Sequence, residues 1–65
     1  MMTLTYPTYR LRVAGIACQG IYETEGEAVK AARRNAKMLT RPVLVECSYG
    51  DHLAWWPLRI EGKAE

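Results

Sequence analysis

The sequence predicts a small α+β domain in which one helix packs on one face of a mainly antiparallel sheet, in the order ββαββ, or βαββ if the second strand does not form. The chain has 65 residues, which is enough for a single domain. One segment carries a clear helix-start signal, and apolar and polar residues alternate on both sides of it. The domain covers residues 1–65, with residues 1–7 as an N-terminal arm and 61–65 as a polar tail.

The first strand is predicted by alternation from Tyr9 to Val13, where apolar residues are interleaved with Arg10 and Arg12. A period of two with aromatic and β-branched residues is typical of a strand with one buried face. An Ala-Gly turn follows, and residues 17–23 predict a second, shorter strand that a central glycine weakens. The two strands would form a hairpin.

The helix is predicted to begin with a capping box. In this motif the Thr24 hydroxyl accepts a hydrogen bond from the amide of Glu27, and the Glu27 carboxylate accepts one from the amide of Thr24. Residues 28–39 are rich in helix formers, and Pro42 ends the helix. The apolar residues follow spacings of three and four, which places them on one face toward the sheet. These residues are Val29, Ala32, Ala36 and Leu39.

Residues 43–49 predict the third strand, and residues 52–56 the fourth, which Leu58 and Ile60 extend beyond a proline. The intervening Gly50-Asp51 suits a two-residue type II′ turn. This turn sets the register of the hairpin, because it places Cys47 opposite Ala54 and Val45 opposite Trp56. Opposite residues share a face. The face toward the helix then carries Val43, Val45, Cys47, Ala54, Trp56 and Leu58.

A single helix leaves the other face of the sheet without a covering layer, and this face is the first candidate binding surface. Trp and Arg are enriched at binding hot spots. The alternative is an ordinary surface, since scattered exposed apolar side chains need no functional explanation. The register also places Glu46 and Ser48 there. The predicted binding residues are Arg10, Arg12, Leu44, Leu53, Trp55 and Arg59.

The basic side of the helix is the second candidate surface, formed by Lys30, Arg33, Arg34 and Lys37. Such a stripe suits the phosphates of a nucleic acid or an acidic protein, although a solvated helix face is the simpler interpretation. Proteins that bind single-stranded nucleic acid combine positive charges with aromatic side chains on which bases stack. No aromatic residue lies among these charges. The formal net charge of +2 is mild for a dedicated nucleic-acid module.

The sequence predicts no catalytic residue, metal site or cofactor. Ser48, Asp51 and His52 are close in sequence, but the predicted register points Ser48 and His52 to opposite faces, so they form no dyad. No C-x-x-C spacing supports a zinc site. Cys47 is expected to be a buried structural thiol, and whether it pairs with Cys18 stays open.

Residues 22–33, Pro42-Val43-Leu44-Val45 and Gly50-Asp51 are similar to small βαββ proteins that often come from phages and other mobile elements. The compact size, single helix and open sheet also resemble some anti-CRISPR proteins. That resemblance implies a non-enzymatic inhibitor that binds a Cas effector and blocks DNA binding or nuclease recruitment. The mildly basic charge departs from the acidic, DNA-mimicking members. No functional residue is carried over, because no motif here is specific to these proteins.

The expected partner is a macromolecule, with protein as the first hypothesis and nucleic acid as the second. A monomer and a homodimer that pairs through the open face are both compatible with the sequence. Residues 1–7 contain no secretory signal, and no run approaches the ~18 apolar residues that a membrane span needs. We therefore expect a cytoplasmic protein without membrane association.

Overall fold

The computed structural model describes residues 6–49 and 54–62. It confirms the ββαββ order and the single helix on one face of the sheet. All neighbouring strands are antiparallel, and their order across the sheet is β2-β1-β3-β4. The elements are β1 (Pro7–Val13), β2 (Ile16–Ala17), α1 (Glu25–Leu39), β3 (Val43–Tyr49) and β4 (Trp56–Glu61).

Helix α1 ends where its local sequence predicts, and at its start one of the two hydrogen bonds of the predicted capping box forms. The Thr24 hydroxyl accepts a hydrogen bond from the backbone N–H of Glu27 at 3.2 Å. At the other end Thr40 adopts a left-handed conformation, and its N–H donates to the carbonyl of Ala36. Pro42 then prevents further helix. Among the described residues, no helix is long and apolar enough to cross a membrane.

The core is a thin layer between the alanine-rich face of α1 and the two central strands. Alanines let the helix backbone approach the sheet closely. Val29 is buried as predicted, but Leu39 is 48% exposed. Leu39 is the last helical residue, and the buried face of α1 ends one turn earlier, at Ala36. The core cluster consists of Leu11, Ala28, Ala31, Ala32, Ala36, Val43 and Val45.

The second strand is shorter than predicted. Instead of residues 17–23, regular pairing covers only Ile16–Ala17. Beyond it a single bridge joins Tyr9 and Tyr22 through two backbone hydrogen bonds of 2.9 and 2.8 Å. Between these contacts Gly20 has a φ of +104°, which takes the chain out of an extended conformation.

The predicted register of the second hairpin is wrong. Cys47 pairs with Trp56 instead of Ala54, and Val45 pairs with Arg59 instead of Trp56. Strand β4 therefore begins at Trp56, four residues later than predicted, and the partner of Cys47 is shifted by two residues from the predicted register. Residues 50–53, which include the predicted turn and Leu53, lie outside the described part of the chain.

A β-bulge in β4 moves one predicted site residue to the other face. Val45 pairs with Arg59, but its neighbour Glu46 pairs with Pro57, so Leu58 is an extra residue without a partner on β3. Opposite residues share a face. Arg59 therefore lies on the helix side with Val45, and its predicted place on the uncovered face is wrong.

The start of the first strand and the end of the last strand differ slightly from the predicted arm and tail. Strand β1 begins at Pro7, which the sequence analysis placed in the arm, and β4 includes Glu61, which it placed in the tail. Residues 1–5 and 63–65 lie outside the described part of the chain.

Candidate functional site

The face of the sheet opposite α1, called the open face below, brings together four of the six predicted binding residues, three of them on its strands. Arg10 lies opposite Glu46, and Arg12 opposite Leu44. The bulge adds Ile60, which lies opposite Leu44 on the other side. By register, the face is formed by Thr8, Arg10, Arg12, Leu44, Glu46, Ser48, Pro57 and Ile60.

A clamped carboxylate occupies the middle of the open face. Arg10 Nε donates to Glu46 Oε1 at 2.7 Å, and Arg12 Nε donates to Oε2 at 3.2 Å. Arg12 also donates to the carbonyl of Gly15 at 2.7 Å. Glu46 is only 7% exposed, so its charge is offset by the two guanidinium groups rather than by water. One positive charge remains on this cluster.

Trp55 joins this cluster through Arg10. The guanidinium carbon of Arg10 lies 4.2 Å from the centre of the Trp55 ring, which is the geometry of a cation–π contact. Arg10 is thus held between a carboxylate and an indole. We call Arg10, Arg12, Glu46 and Trp55 the Arg-Glu-Trp cluster. The sequence analysis predicted both arginines and Trp55 on this face, and the structure places them within one connected network.

An apolar area adjoins the cluster on one side. Ile60 is 65% exposed, and Leu44 is half-buried beside it. Together with Arg12 and Pro42 they line a shallow hollow of about 320 Å³. The sequence analysis did not assign Ile60 to this face, because an unbroken strand that placed Arg59 there would point Ile60 to the helix side. Only the bulge reverses that assignment.

At the opposite end of the open face, the hydroxyl groups are buried. Thr8 and Ser48 lie opposite each other, and both hydroxyl oxygens are buried without a hydrogen-bond partner among the described residues. Ser48 is fully buried. A nucleophile must reach its substrate, so this hydroxyl is poorly placed for catalysis.

Arg59 belongs to an ion-pair network on the helix side. Its Nε lies 2.6 Å from Glu61 Oε2, while Arg33 Nε donates to Oε1 at 2.9 Å. The hydrogen bond from Arg33, followed by the charge of Arg59, holds the pKa of Glu61 below its ordinary value of 4.5. This network ties α1 to the outer strand.

The predicted basic helix surface divides into two parts. Arg33 turns toward β4 and pairs with Glu61, as described above. Lys30, Arg34 and Lys37 are exposed, and none of them forms an ion pair within the described residues. Of the four basic residues predicted on this surface, three therefore remain as a stripe of exposed cations apart from Arg33.

Acidic side chains lie beside two of these cations. A groove of about 510 Å³ runs along the start of α1, and it is lined by Glu23 and Glu27 as well as Lys30 and Arg34. The four formal charges cancel. The groove is therefore a poor match for a polyanion, although Lys37 lies outside it.

Sequence reasoning missed an exposed aromatic corner on the helix side. Trp56 is 59% exposed, Tyr49 60% and Leu58 43%, although Trp56 and Leu58 were predicted to pack against the helix. Trp56 does share the helix-side face with Cys47, its partner on β3. The core under α1 ends before this corner, which could not be known without the crossing direction of the helix.

The two thiols and Tyr9 are buried or half-buried at or beside the core. Cys18 is half-buried and Cys47 is buried, and both are free, so no disulfide joins them. Burial, with a smaller effect of Cys47, raises the pKa of Tyr9 above its ordinary value of 10.0, which keeps its hydroxyl neutral. Within residues 6–49 and 54–62, no group of three or more His, Cys, Asp and Glu side chains could hold a metal ion. Asp51 and His52 lie outside these ranges.

Comparisons with known proteins add no relative to this description. No protein-family model, no curated protein and no solved structure matches the chain. The candidate site therefore rests on the geometry of this chain alone.

Proposed function

We propose that this chain is a non-enzymatic binding protein that docks a protein partner on its open face by direct protein–protein contact. The observation that carries the proposal is the Arg-Glu-Trp cluster, in which Arg10 is held by both Glu46 and Trp55. Trp and Arg are the residue types that dominate binding energy at protein interfaces. An apolar area with exposed Ile60 lies next to them.

The cluster suits binding because it is ordered before a partner arrives. Immobilising a long side chain at an interface costs about 0.5–1.5 kcal/mol. Arg10 and Arg12 are already held by hydrogen bonds to Glu46, and their side chains are only 20% and 30% exposed. Most of that ordering cost therefore falls on folding rather than on association.

The chemistry of the open face indicates the chemistry of the partner. The cluster carries one net positive charge, and the neighbouring surface of Leu44 and Ile60 is apolar. The complementary surface is an apolar patch with an acidic side chain at its rim. Such a partner would contact the cluster edge and the hollow beside it at the same time.

The adjacent tryptophans provide a matched test, because they belong to opposite sides of the sheet. Trp55 contacts Arg10 of the open face, whereas Trp56 is 59% exposed on the helix side. In affinity capture from a bacterial lysate, Trp55→Ala should lose a protein that wild type and Trp56→Ala retain. Both variants are first checked for folding by circular dichroism. Equal capture by folded Trp55→Ala, or loss in both variants, would contradict the proposal.

A more specific form of this proposal is an inhibitor of a bacterial defence complex that acts in the cytoplasm, such as an anti-CRISPR protein. It rests on the resemblance of the sequence pattern to small phage proteins, and on a rigid surface that carries no obvious catalytic group. The test is phage plating on a host whose Cas complex targets that phage. Expression of wild type should restore plaques, and Trp55→Ala should not. Unchanged immunity with wild type would reject this form.

A second candidate function is nucleic-acid binding through Lys30, Arg34 and Lys37, which are exposed and form no ion pair within the described residues. The acidic side chains of the neighbouring groove weigh against it. Binding of DNA or RNA would weaken steeply with salt, because phosphate contacts release counterions. A gel-shift series with Lys30→Gln/Arg34→Gln as the comparison variant separates the two functions. No shift at low salt would reject this candidate.

A further inference from the structure

The outer edge of β4 has no neighbouring strand within the described residues. In the sheet order β2-β1-β3-β4, strand β4 has a neighbour on one side only, and no other strand of the described chain covers its outer edge. Its residues from Trp56 to Ile60 are all exposed. An unpaired edge presents free N–H and C=O groups and is a template for another strand.

Only the second half of this edge is regular. Pro57 cannot donate a ladder hydrogen bond, and the bulge at Leu58 twists the first half away from ideal pairing. After Glu61, Gly62 has a φ of +89° and lies close to the helix. The part that can accept a straight neighbour is therefore residues 59–61, with Ile60 at its centre.

We propose that a second copy of this chain pairs antiparallel on this edge, with Ile60 on the two-fold axis. This inference goes beyond the partner proposed for the open face and shares Ile60 with it. Antiparallel pairing about Ile60 places Arg59 of each copy opposite Glu61 of the other. Both residues lie on the helix side, and the two opposite-charge pairs are related by the symmetry. Self-complementarity of this kind is what an isologous dimer requires.

Other registers are less favourable. Centring the pair on Arg59 or on Glu61 would place like charges directly opposite each other, which is destabilising. If the two-fold axis passed between two neighbouring residues of β4, Ile60 of one copy would lie opposite a helix-side residue of the other copy. Ile60 lies on the open face, and opposite residues of an antiparallel pair share a face, so this register does not fit. The Ile60 register alone pairs unlike charges on one face and an apolar side chain on the other.

The open face also becomes continuous in this register. Leu44 lies opposite Ile60 in the existing sheet. Pairing at Ile60 therefore forms an apolar row of Leu44, Ile60 and the same two residues of the second copy. It covers Ile60, which is 65% exposed in the single chain. Because the axis is perpendicular to the sheet, both open faces point the same way and the dimer presents two binding surfaces.

Arg59, which already pairs with Glu61 of its own chain, is the side chain that would be shared between two carboxylates. Arg33 makes the aligned hydrogen bond to Glu61, whereas Arg59 lies 2.6 Å from Oε2, an atom without a hydrogen-bond partner of suitable geometry. The Arg59 side chain is 46% exposed. It can therefore turn toward the Glu61 carboxylate of the second copy while Arg33 still neutralises its own.

The contact is small, so the dimer should be weak and concentration-dependent. Interfaces below about 1,200 Å² are typical of weak encounters. Sedimentation equilibrium of the purified wild type, up to millimolar protein, should show reversible dimers. A single species of monomer mass over the whole range would overturn the proposal.

Charge reversal tests the register itself. Arg59→Glu alone and Glu61→Arg alone each oppose like charges and should weaken self-association about tenfold or more. An equimolar mixture of the two variants restores both opposite-charge pairs. The heterodimer should therefore form with an affinity similar to that of the wild-type homodimer. Failure of the mixture to associate, with both variants folded, would overturn the register.

The Glu61→Arg variant loses the ion pair with Arg33, which destabilises its fold. A second pair of variants therefore leaves Glu61 unchanged. Ile60→Lys places two positive charges on the axis and should abolish dimers. Ile16→Lys is the matched control, because Ile16 is 71% exposed on the opposite edge strand β2. Equal association of the two lysine variants would overturn the proposal. The measurement uses the purified chain alone, so its failure leaves the Trp55 capture result unaffected.

Discussion

Removing the carboxylate at the centre of the open face should destabilise the fold markedly. Glu46 is 7% exposed and accepts hydrogen bonds from Arg10 and Arg12 at 2.7 and 3.2 Å. Glu46→Ala leaves both guanidinium groups without their carboxylate in a half-buried setting. The cost is larger than for an exposed ion pair, because the cations cannot recover full hydration.

The magnitude follows from burial and the number of bonds. Breaking a fully buried pair costs about 3–5 kcal/mol. Arg10 and Arg12 are 20% and 30% exposed, so solvent screens part of this, and we expect a loss of about 2–3 kcal/mol. A domain of this length has about 3–10 kcal/mol in total. The Tm should fall by about 10–20 °C.

Thermal and urea unfolding, followed by circular dichroism, measure this loss. Glu23→Ala is the matched control, since Glu23 is exposed and makes no ion pair within the described residues. Its stability should change by less than about 0.5 kcal/mol, as for ordinary surface substitutions. A loss that small for Glu46→Ala would refute the reasoning, and with it the view that the open face is ordered before binding.

Three further outcomes are expected. Gly62→Ala should lower the free energy of unfolding by more than about 1 kcal/mol, because φ is +89° and an added Cβ would lie 2.8 Å from Ala36 Cβ. Gly26→Ala is the control, because an added Cβ there meets open space, and it should be neutral or stabilising. Thermal unfolding measures both. Ser48→Ala should keep or raise the free energy of unfolding by up to about 1 kcal/mol, since it removes a buried hydroxyl without a partner in the described chain. The pKa of Glu61 is lowered in the fold, so its contribution is present above 4.5 and lost as pH falls below that value. Glu61→Gln should therefore show a shallower acid-side loss of stability, and an unchanged pH profile would contradict the assignment.

The elements with strong local signals were predicted well from the sequence. The cap at Thr24 predicted the helix start, because the residues that satisfy the first helical N–H groups are adjacent in sequence. The alternation around Arg10 and Arg12 placed both on the open face, since period two links each side chain to a side of the sheet. Local chemistry is sufficient where the partner atoms are close along the chain.

The fourth strand was mispredicted because its register depends on distant contacts. A plausible Gly50-Asp51 turn set the expected pairing, but Cys47 pairs with Trp56 and the extra residue Leu58 then reverses the face of Arg59. A bulge has no reliable local signature. One inserted residue therefore exchanged Arg59 for Ile60 on the candidate surface, and hid the Arg59–Glu61 pairing on which the dimer depends.

Stability and binding are coupled on the open face. Four of the seven core-cluster residues are alanines, which bury little apolar surface, so loss of one partner in the polar network around Glu46 would cost a large share of the stability of this domain. A substitution at Arg10 or Arg12 would change folding and binding together, and loss of capture would be ambiguous. Trp55 and Ile60 lie outside the clamped carboxylate. Substitutions there can report on binding with smaller effects on the core, which makes them the informative positions for both proposals.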